Sequence, residues 1–363
     1  MTKNNVTALE LGFMIFLITI AGKVHALPSM IAGYSNESLW VSALICFVLD
    51  FILLLIVIKI LNGIKGRDFY EVLIEYFGKF LGKTICFLMI LFMIAKIFIP
   101  IIEQKNSIEL TFYETQPTLF TFIPVYIVIF YIALKGAWSF CKSINIVVWG
   151  FIVGVVIVLV LSISAANPEQ LLPFFAVKTQ KVLNGSFKSL LWFGDPLFLL
   201  FFSKYLSKDE KITKRIVISY LLSVLVYILG LMIFYSIFEN IAVRQYFAPL
   251  KMSKYSVTLS NIGRFDYLAT LLIIMANVYE LALPLVIASS LTKSLFSIKN
   301  KYLAPLIICA LSLTITLLTQ HGFYQYLDVM QNYGIWFLLV ITYVIPIIMF
   351  IKNLLLRRKN ERI

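Results

Sequence analysis

Charge is scarce in this chain: 13% of its 363 residues are Asp, Glu, Lys or Arg, against 61% that are apolar. A soluble domain spends about a quarter of its residues on charge, so an ordinary water-facing surface is excluded. Cysteine is scarce too. Cys46, Cys86, Cys141 and Cys309 stand singly in or beside different apolar runs, with no CxxC pair, which excludes a disulfide framework or thiolate metal site and reads as packing. There is no GxxxxGK[ST] loop, no HExxH and no Ser-His-Asp grouping, so nucleotide-driven pumping and intramembrane hydrolysis have no apparatus. The sequence predicts a non-enzyme without metal or cofactor.

What fills the chain is apolar sequence. Ten runs, at about 9–32, 39–60, 82–102, 119–135, 144–164, 187–206, 216–238, 266–291, 303–319 and 334–352, are each long enough for a helix to cross a hydrocarbon core of about 30 Å. The expectation is an all-α polytopic membrane protein, a single transmembrane domain over residues 1–363 with a basic tail at 353–363. The connecting loops are too short to hold a soluble core. The first run lacks a strongly basic leader and continues too far before a cleavage-like site, so it reads as a retained span rather than a signal peptide.

A net charge of +13 would suit a nucleic-acid binder, but the basic residues follow topology. With the amino terminus inside, about 21 Lys and Arg (Lys3, the groups from Lys59 to Lys83 and Lys204 to Arg215, and Lys352 to Arg362 among them) fall on the cytoplasmic side, against about seven outside. This positive-inside asymmetry predicts two cytoplasmic termini, with the basic excess facing anionic lipid headgroups and not nucleic acid.

Two runs are interrupted. The first contains Ala21-Gly22-Lys23-Val24-His25-Ala26-Leu27-Pro28, and the sixth contains Phe193-Gly194-Asp195-Pro196. A charged side chain at membrane depth costs at least about 2.5–3.5 kcal/mol unless it faces protein or a wet cavity, and Pro196 removes a backbone donor while steering Asp195 away from helical geometry. At a rise of about 1.5 Å per residue, Lys23 lies about 21 Å and Asp195 about 18 Å from the cytoplasmic face. Two breaks five spans apart at matching depth are the pattern of an inverted-repeat transporter bundle, with repeat one over about 6–164 and repeat two over about 187–352. Ligand would lie between the breaks, on Ala21, Gly22, Lys23, Val24, His25, Phe193, Gly194 and Asp195. Lys23 and Asp195 are expected to face each other across that cavity.

Three further polar residues are too deep to reach the interface: Lys96 in the third run, with Asn277 and Glu280 in the eighth. Thr270, Asn277, Glu280 and Pro284 recur at helical spacing and form a stripe that should face the bundle interior. Lys96 and Glu280 either pair as a structural tie or line and gate the ligand path. Asp50, inside the second run, has no evident partner.

Several ordered motifs carry a resemblance. Ala8-Leu9-Glu10, the Gly22 break, Ala26-Leu27-Pro28-Ser29 and Glu37-Ser38-Leu39-Trp40-Val41-Ser42 resemble the start of the spore germination permeases, the GerAB-like B subunits of endospore germinant receptors. Asn167-Pro168-Glu169-Gln170-Leu171-Leu172-Pro173, followed by Gly185-Ser186-Phe187, is similar to that family's loop before span six, and Gly263-Arg264-Phe265-Asp266 to its approach to span eight. The chain departs from the pattern at Gly263, where the family usually has an acid, and at Lys23. The resemblance implies the amino acid, polyamine and organocation transporter superfamily and a LeuT-type bundle of five plus five helices, broken in the first and sixth. It also implies a seat in the spore inner membrane beside a larger A subunit and a lipoprotein C subunit, with a small nutrient, commonly an amino acid, as ligand. Three functions remain open at this point: a germinant sensor, a secondary active amino acid or cation transporter using the same pocket, and a scaffold with a vestigial pocket.

Overall fold

The computed structural model describes residues 5–112, 118–173, 175, 177–206, 212–254 and 265–360. Gly263 and Arg264 of the third motif, Lys3, Lys208, Lys211 and the last three residues of the tail lie outside them, as does the side chain of Thr270. Among the described residues the structure is helical, with one isolated bridge between Val6 and Leu206 and no named strand.

Helix α1 (Ala8–Ala21) opens on a capping box: the Thr7 amide donates to Glu10 Oε2 at 2.8 Å and the Glu10 amide to Thr7 Oγ1 at 3.3 Å. It is apolar around nearly its whole circumference, which suits a helix enclosed by others, and it packs between α8 (Ile212–Phe238) and α6 (Thr118–Ile163). The helix stops at Ala21. Residues 22–26 are not helical, and α2 (Leu27–Ser35) restarts with Pro28 in its first turn, where a missing amide costs nothing. Helix α3 (Leu39–Gly63) follows, then the short amphipathic α4 (Phe69–Phe77), capped by the Asp68 side chain and ended by Gly78. Helix α5 (Lys79–Phe112) bears Pro100, and α10 (Phe265–Leu295), which bears Pro284, packs along both α5 and α6.

The sixth run is assembled in pieces. Helix α7 (Thr179–Ser189) gives way to a 3-10 turn (Leu190–Trp192), an extended Phe193, and Gly194 at φ +96°, before a second 3-10 stretch (Asp195–Tyr205). Near Tyr205 this stretch is fastened on two sides. The Val6 amide donates to the Tyr205 carbonyl at 2.7 Å, the Gly66 amide donates to the Ser203 carbonyl at 2.9 Å, and Ser203 Oγ donates to the Arg67 carbonyl at 2.9 Å.

Helix α9 (Ala248–Lys254) precedes α10, and α11 (Leu303–Thr319) follows it. The last run is longer than its apolar core: α12 (Phe323–Val329), α13 (Ile335–Leu339) and α14 (Ile345–Asn360) are joined by two π turns, Met330–Gly334 and Val340–Val344.

Seven spans among the described residues are long and apolar enough to cross a membrane: Leu27–Gly63, Lys79–Asn106, Phe122–Ile163, Ile212–Arg244, Leu271–Leu295, Leu303–Gly322 and Gln325–Leu355. The difference from ten runs has a local cause in each case. The runs at 119–135 and 144–164 are two helical segments of α6 that meet at Gly136, itself not helical (φ +80°, ψ 176°), and count together as one long span, while the first run is divided at 22–26 and the sixth at 193–194. Large apolar side chains project outward along α6 (Ile127, Tyr131, Trp149, Val153, Val160) and α8 (Ile218, Leu222, Leu225, Leu229), where hydrocarbon is their natural solvent. The protein is a multi-pass membrane protein.

Candidate functional site

The two interrupted runs meet. Lys23 Nζ forms an ion pair with Asp195 Oδ2, its side chain wholly removed from solvent, and also lies 4.9 Å above the ring of Phe193. Phe193 in turn packs edge-on against Phe47 at 4.9 Å. The carbonyl of Lys23, freed by the end of α1, accepts from Tyr227 Oη at 2.8 Å.

The break in the sixth run is held by groups from three other elements. The Gly194 amide reaches both carboxylate oxygens of Asp50 at 3.0 Å, and Tyr343 Oη donates to Asp50 Oδ1 at 2.8 Å. Lys96 Nζ donates to the carbonyls of Phe193 at 3.0 Å and Leu191 at 3.3 Å. Trp192 Nε1 donates to Glu103 Oε1 at 3.3 Å. Backbone groups that leave a helix inside a bilayer must find such partners, because lipid offers none.

Beside this assembly lies a cavity of about 270 Å³. Its wall is apolar (Ile18, Phe92, Phe98, Phe198, Ile315, Phe337 and Leu338) except for Gly22, Lys96, Asp195 and Glu280. The Glu280 carboxylate presses on the first break: a Cβ built on Gly22 would stand 2.4 Å from Glu280 Oε1, so only glycine fits there undisturbed. Glu280 Oε2 is buried without a hydrogen-bond partner.

The sequence model of one family, described as spore germination protein, matches residues 5–324. The chain belongs to the spore germination protein family. No curated protein matches it in sequence. In fold, this family member is similar to crystal structures of a manganese transporter from Eremococcus coleocola. A histidine-to-alanine mutant of that transporter gives a TM-score of 0.66 at 15% identity, over 96% of this chain and 85% of that one. A glutamate-to-glutamine mutant gives 0.65 at 14% identity over the same shares. The transporter in complex with an aromatic bis-isothiourea substituted compound gives 0.62 at 12%, over 95% and 75%. At such identities the likeness is one of fold.

The germination protein's expected site residues divide into two groups. Gly22, Asp195, Lys96 and Glu280 line the main cavity, with Lys23, Phe193 and Gly194 packed immediately behind it. Ala21 is buried as the last residue of α1 and lines no cavity described here. Val24, His25 and Asn277 line a separate cleft of about 20 Å³, where Asn277 Nδ2 donates to His25 Nε2 at 2.8 Å and His25 packs edge-on to Phe247 at 5.7 Å. The stripe on α10 therefore serves both sides of the first break.

The expected structural tie between Lys96 and Glu280 is not formed. No ion pair among the described residues joins them: Lys96 donates to the two carbonyls of the sixth run, while the Glu280 carboxylate lies against Gly22. A double-mutant cycle on the unliganded protein, Lys96→Met with Glu280→Gln, is expected to show only the coupling of neighbours that share a cavity, about 1 kcal/mol, short of the ~3–5 kcal/mol of a broken buried ion pair. Coupling of several kcal/mol in a detergent unfolding titration would restore the pair.

Sequence reasoning missed Glu103 and Tyr343. Glu103 stood one residue beyond the expected end of the third run, but α5 continues to Phe112 and carries it into the bundle. Tyr343 is one of 19 tyrosines, and no local signal separates it from packing residues. Asp50 was visible as a buried acid, while its partner, a glycine amide 144 positions away, was not.

Proposed function

We propose that this chain is the germinant-sensing membrane subunit of a spore nutrient receptor. It would be a bundle of ten spans in two inverted repeats (about 6–164 and 187–352), with both termini cytoplasmic in the spore inner membrane, beside an A subunit and a lipoprotein C subunit. One small nutrient, of amino-acid size, occupies the cavity next to the two breaks and triggers germination by favouring one conformation of the bundle. A ligand shifts such an equilibrium only by its differential affinity for the two states.

The cavity is the observation that carries this reading. About 270 Å³ lies just below the range of drug-sized pockets, which starts at about 300 Å³, and its apolar wall with the convergent polar side chains of Lys96, Asp195 and Glu280 suits one small molecule. The fold likeness to a manganese transporter supports a second reading, a secondary active amino acid or cation transporter. Against coupling to a free cation stands the chemistry of the breaks: Lys23 holds the Asp195 carboxylate, and Lys96 holds the carbonyls of Leu191 and Phe193. Two tethered ammonium groups take the acceptors that a sodium ion or divalent metal would need, and no group of three or more His, Cys, Asp or Glu among the described residues could hold a metal.

The test is a melting-temperature screen of the purified protein against the common amino acids, in sodium and in choline buffer. A ligand at about 100 times its Kd stabilises by about 2.7 kcal/mol. The expected result is stabilisation by one or a few amino acids, equal in both buffers and lost when Ala95, which lies on the cavity wall, is replaced in Ala95→Trp by a ring that would occupy the cavity. A ligand that still stabilises Ala95→Trp binds elsewhere. Accumulation of labelled ligand in liposomes would favour the transporter.

A further inference from the structure

The cavity wall holds an ammonium and a carboxylate that sit close together without touching. Lys96 on α5 and Glu280 on α10 belong to helices that pack against each other, line the same cavity and are each within electrostatic reach of the other, yet no ion pair joins them. Each is also incompletely bonded. An ammonium has three N–H donors, and Lys96 spends two on the carbonyls of Leu191 and Phe193, leaving one. Glu280 leaves Oε2 without any partner. A buried carboxylate in that condition is costly and calls for a donor the protein does not supply.

The prolines sharpen the pattern. Pro100 has no amide to return to the carbonyl of Lys96 one turn earlier, and Pro284 has none for the carbonyl of Glu280. Each charged residue thus sits at a helix turn that also releases a backbone acceptor, on the two helices that meet at the cavity. The other ionised group on the wall, Asp195, is already neutralised by Lys23.

We infer that Lys96 and Glu280 are the two poles that read the ends of a zwitterion: Lys96 the carboxylate and Glu280 the ammonium of an α-amino acid, whose apolar side chain packs against Phe92, Phe98, Phe198 and Phe337. An α-amino acid carries both charges on one carbon, so it fits the gap between two opposite charges that approach without meeting. Among the described residues no third unpaired charge stands on the wall for a charged side chain. This inference rests on the cavity reading above and adds to it the anchoring groups and the ligand's polarity.

The experiment takes whichever of L-alanine, L-valine, L-leucine and L-phenylalanine binds the purified full-length protein most tightly. It compares that amino acid with its decarboxylated amine and its deaminated acid by calorimetry. The wild type should prefer the amino acid over both analogues by at least about ten-fold, since a site built for a polar group is left with unpaired charge when that group is missing. In Lys96→Met the amino acid and the amine should bind alike, and in Glu280→Gln the amino acid and the acid should bind alike. These are selectivity ratios, so a lower yield of folded variant does not imitate them. Binding of none of the four amino acids overturns the inference, as does wild-type selectivity in both variants. If that selectivity persists while Ala95→Trp abolishes binding, the cavity reading stands and the anchors fall. If Ala95→Trp binds normally, the cavity reading itself falls.

Discussion

Replacing either Lys23 or Asp195 alone should destabilise the protein by about 3–5 kcal/mol, and replacing both by Met and Leu should cost far less than the sum. The pair is buried on both sides: losing Lys23 leaves the Asp195 carboxylate near that of Asp50, and losing Asp195 leaves the Lys23 ammonium over the Phe193 ring without its bonded carboxylate. Removing both charges removes the desolvation cost along with the attraction. Unfolding titrations in mixed micelles on the four proteins of the cycle measure this, and additivity within about 0.5 kcal/mol would refute the coupling. Function should follow a different course. Asp195 lines the cavity, so Lys23→Met and the double variant should both lose the nutrient response, whether or not stability recovers. An unaffected response in spores carrying Lys23→Met would sink the assignment, as would sodium-dependent ligand binding by the wild type.

The second large effect is expected at the glycines, and it should differ between them. Gly194 sits at φ +96°, where an L side chain is strained by roughly 1–2 kcal/mol, and its Cβ would also stand 2.3 Å from the Thr342 methyl group. Gly194→Ala should therefore lower both stability and response, since the amide that binds Asp50 moves with the backbone. Gly22 adopts ordinary helical angles, and its Cβ would meet only the far end of the Glu280 side chain. Gly22→Ala should leave the melting temperature nearly unchanged while displacing the carboxylate and abolishing ligand binding. Leucine at either position should eliminate the response altogether. Spores that contain normal amounts of Gly22→Leu or Gly194→Leu protein and germinate like the parent would show that the site lies elsewhere.

Much of this arrangement could be read from the sequence because membranes make polar residues conspicuous. Lys23, Asp195, Lys96, Glu280 and Asp50 each stand out in apolar surroundings, and helical rise alone brings Lys23 and Asp195 to nearly one level. What the sequence could not convey was partnership through the backbone. Lys96 answers to carbonyls of Leu191 and Phe193 and Asp50 to the amide of Gly194, and main-chain groups exist at every position, so no residue type advertises them. The nearest opposite charge was the natural partner to expect for Lys96, and that expectation failed. Helix limits were obscured for a related reason. Gly136, at φ +80°, separates the two helical segments of α6 as the two runs imply but without a long loop between them, and the π turns in the last run leave no mark on its hydrophobic pattern.

The bond from Val6 to Tyr205 joins the beginning of the chain to the segment that carries Asp195. It works as a clasp, so Val6, next to the cap of α1, is a handle on the sixth run. A substitution that pulls on Val6 would load that handle and bias the very element that carries Asp195. The same linkage makes residue 5 a natural seat for a spectroscopic probe, because a label there would travel with the floor of the site whenever the bundle changes state.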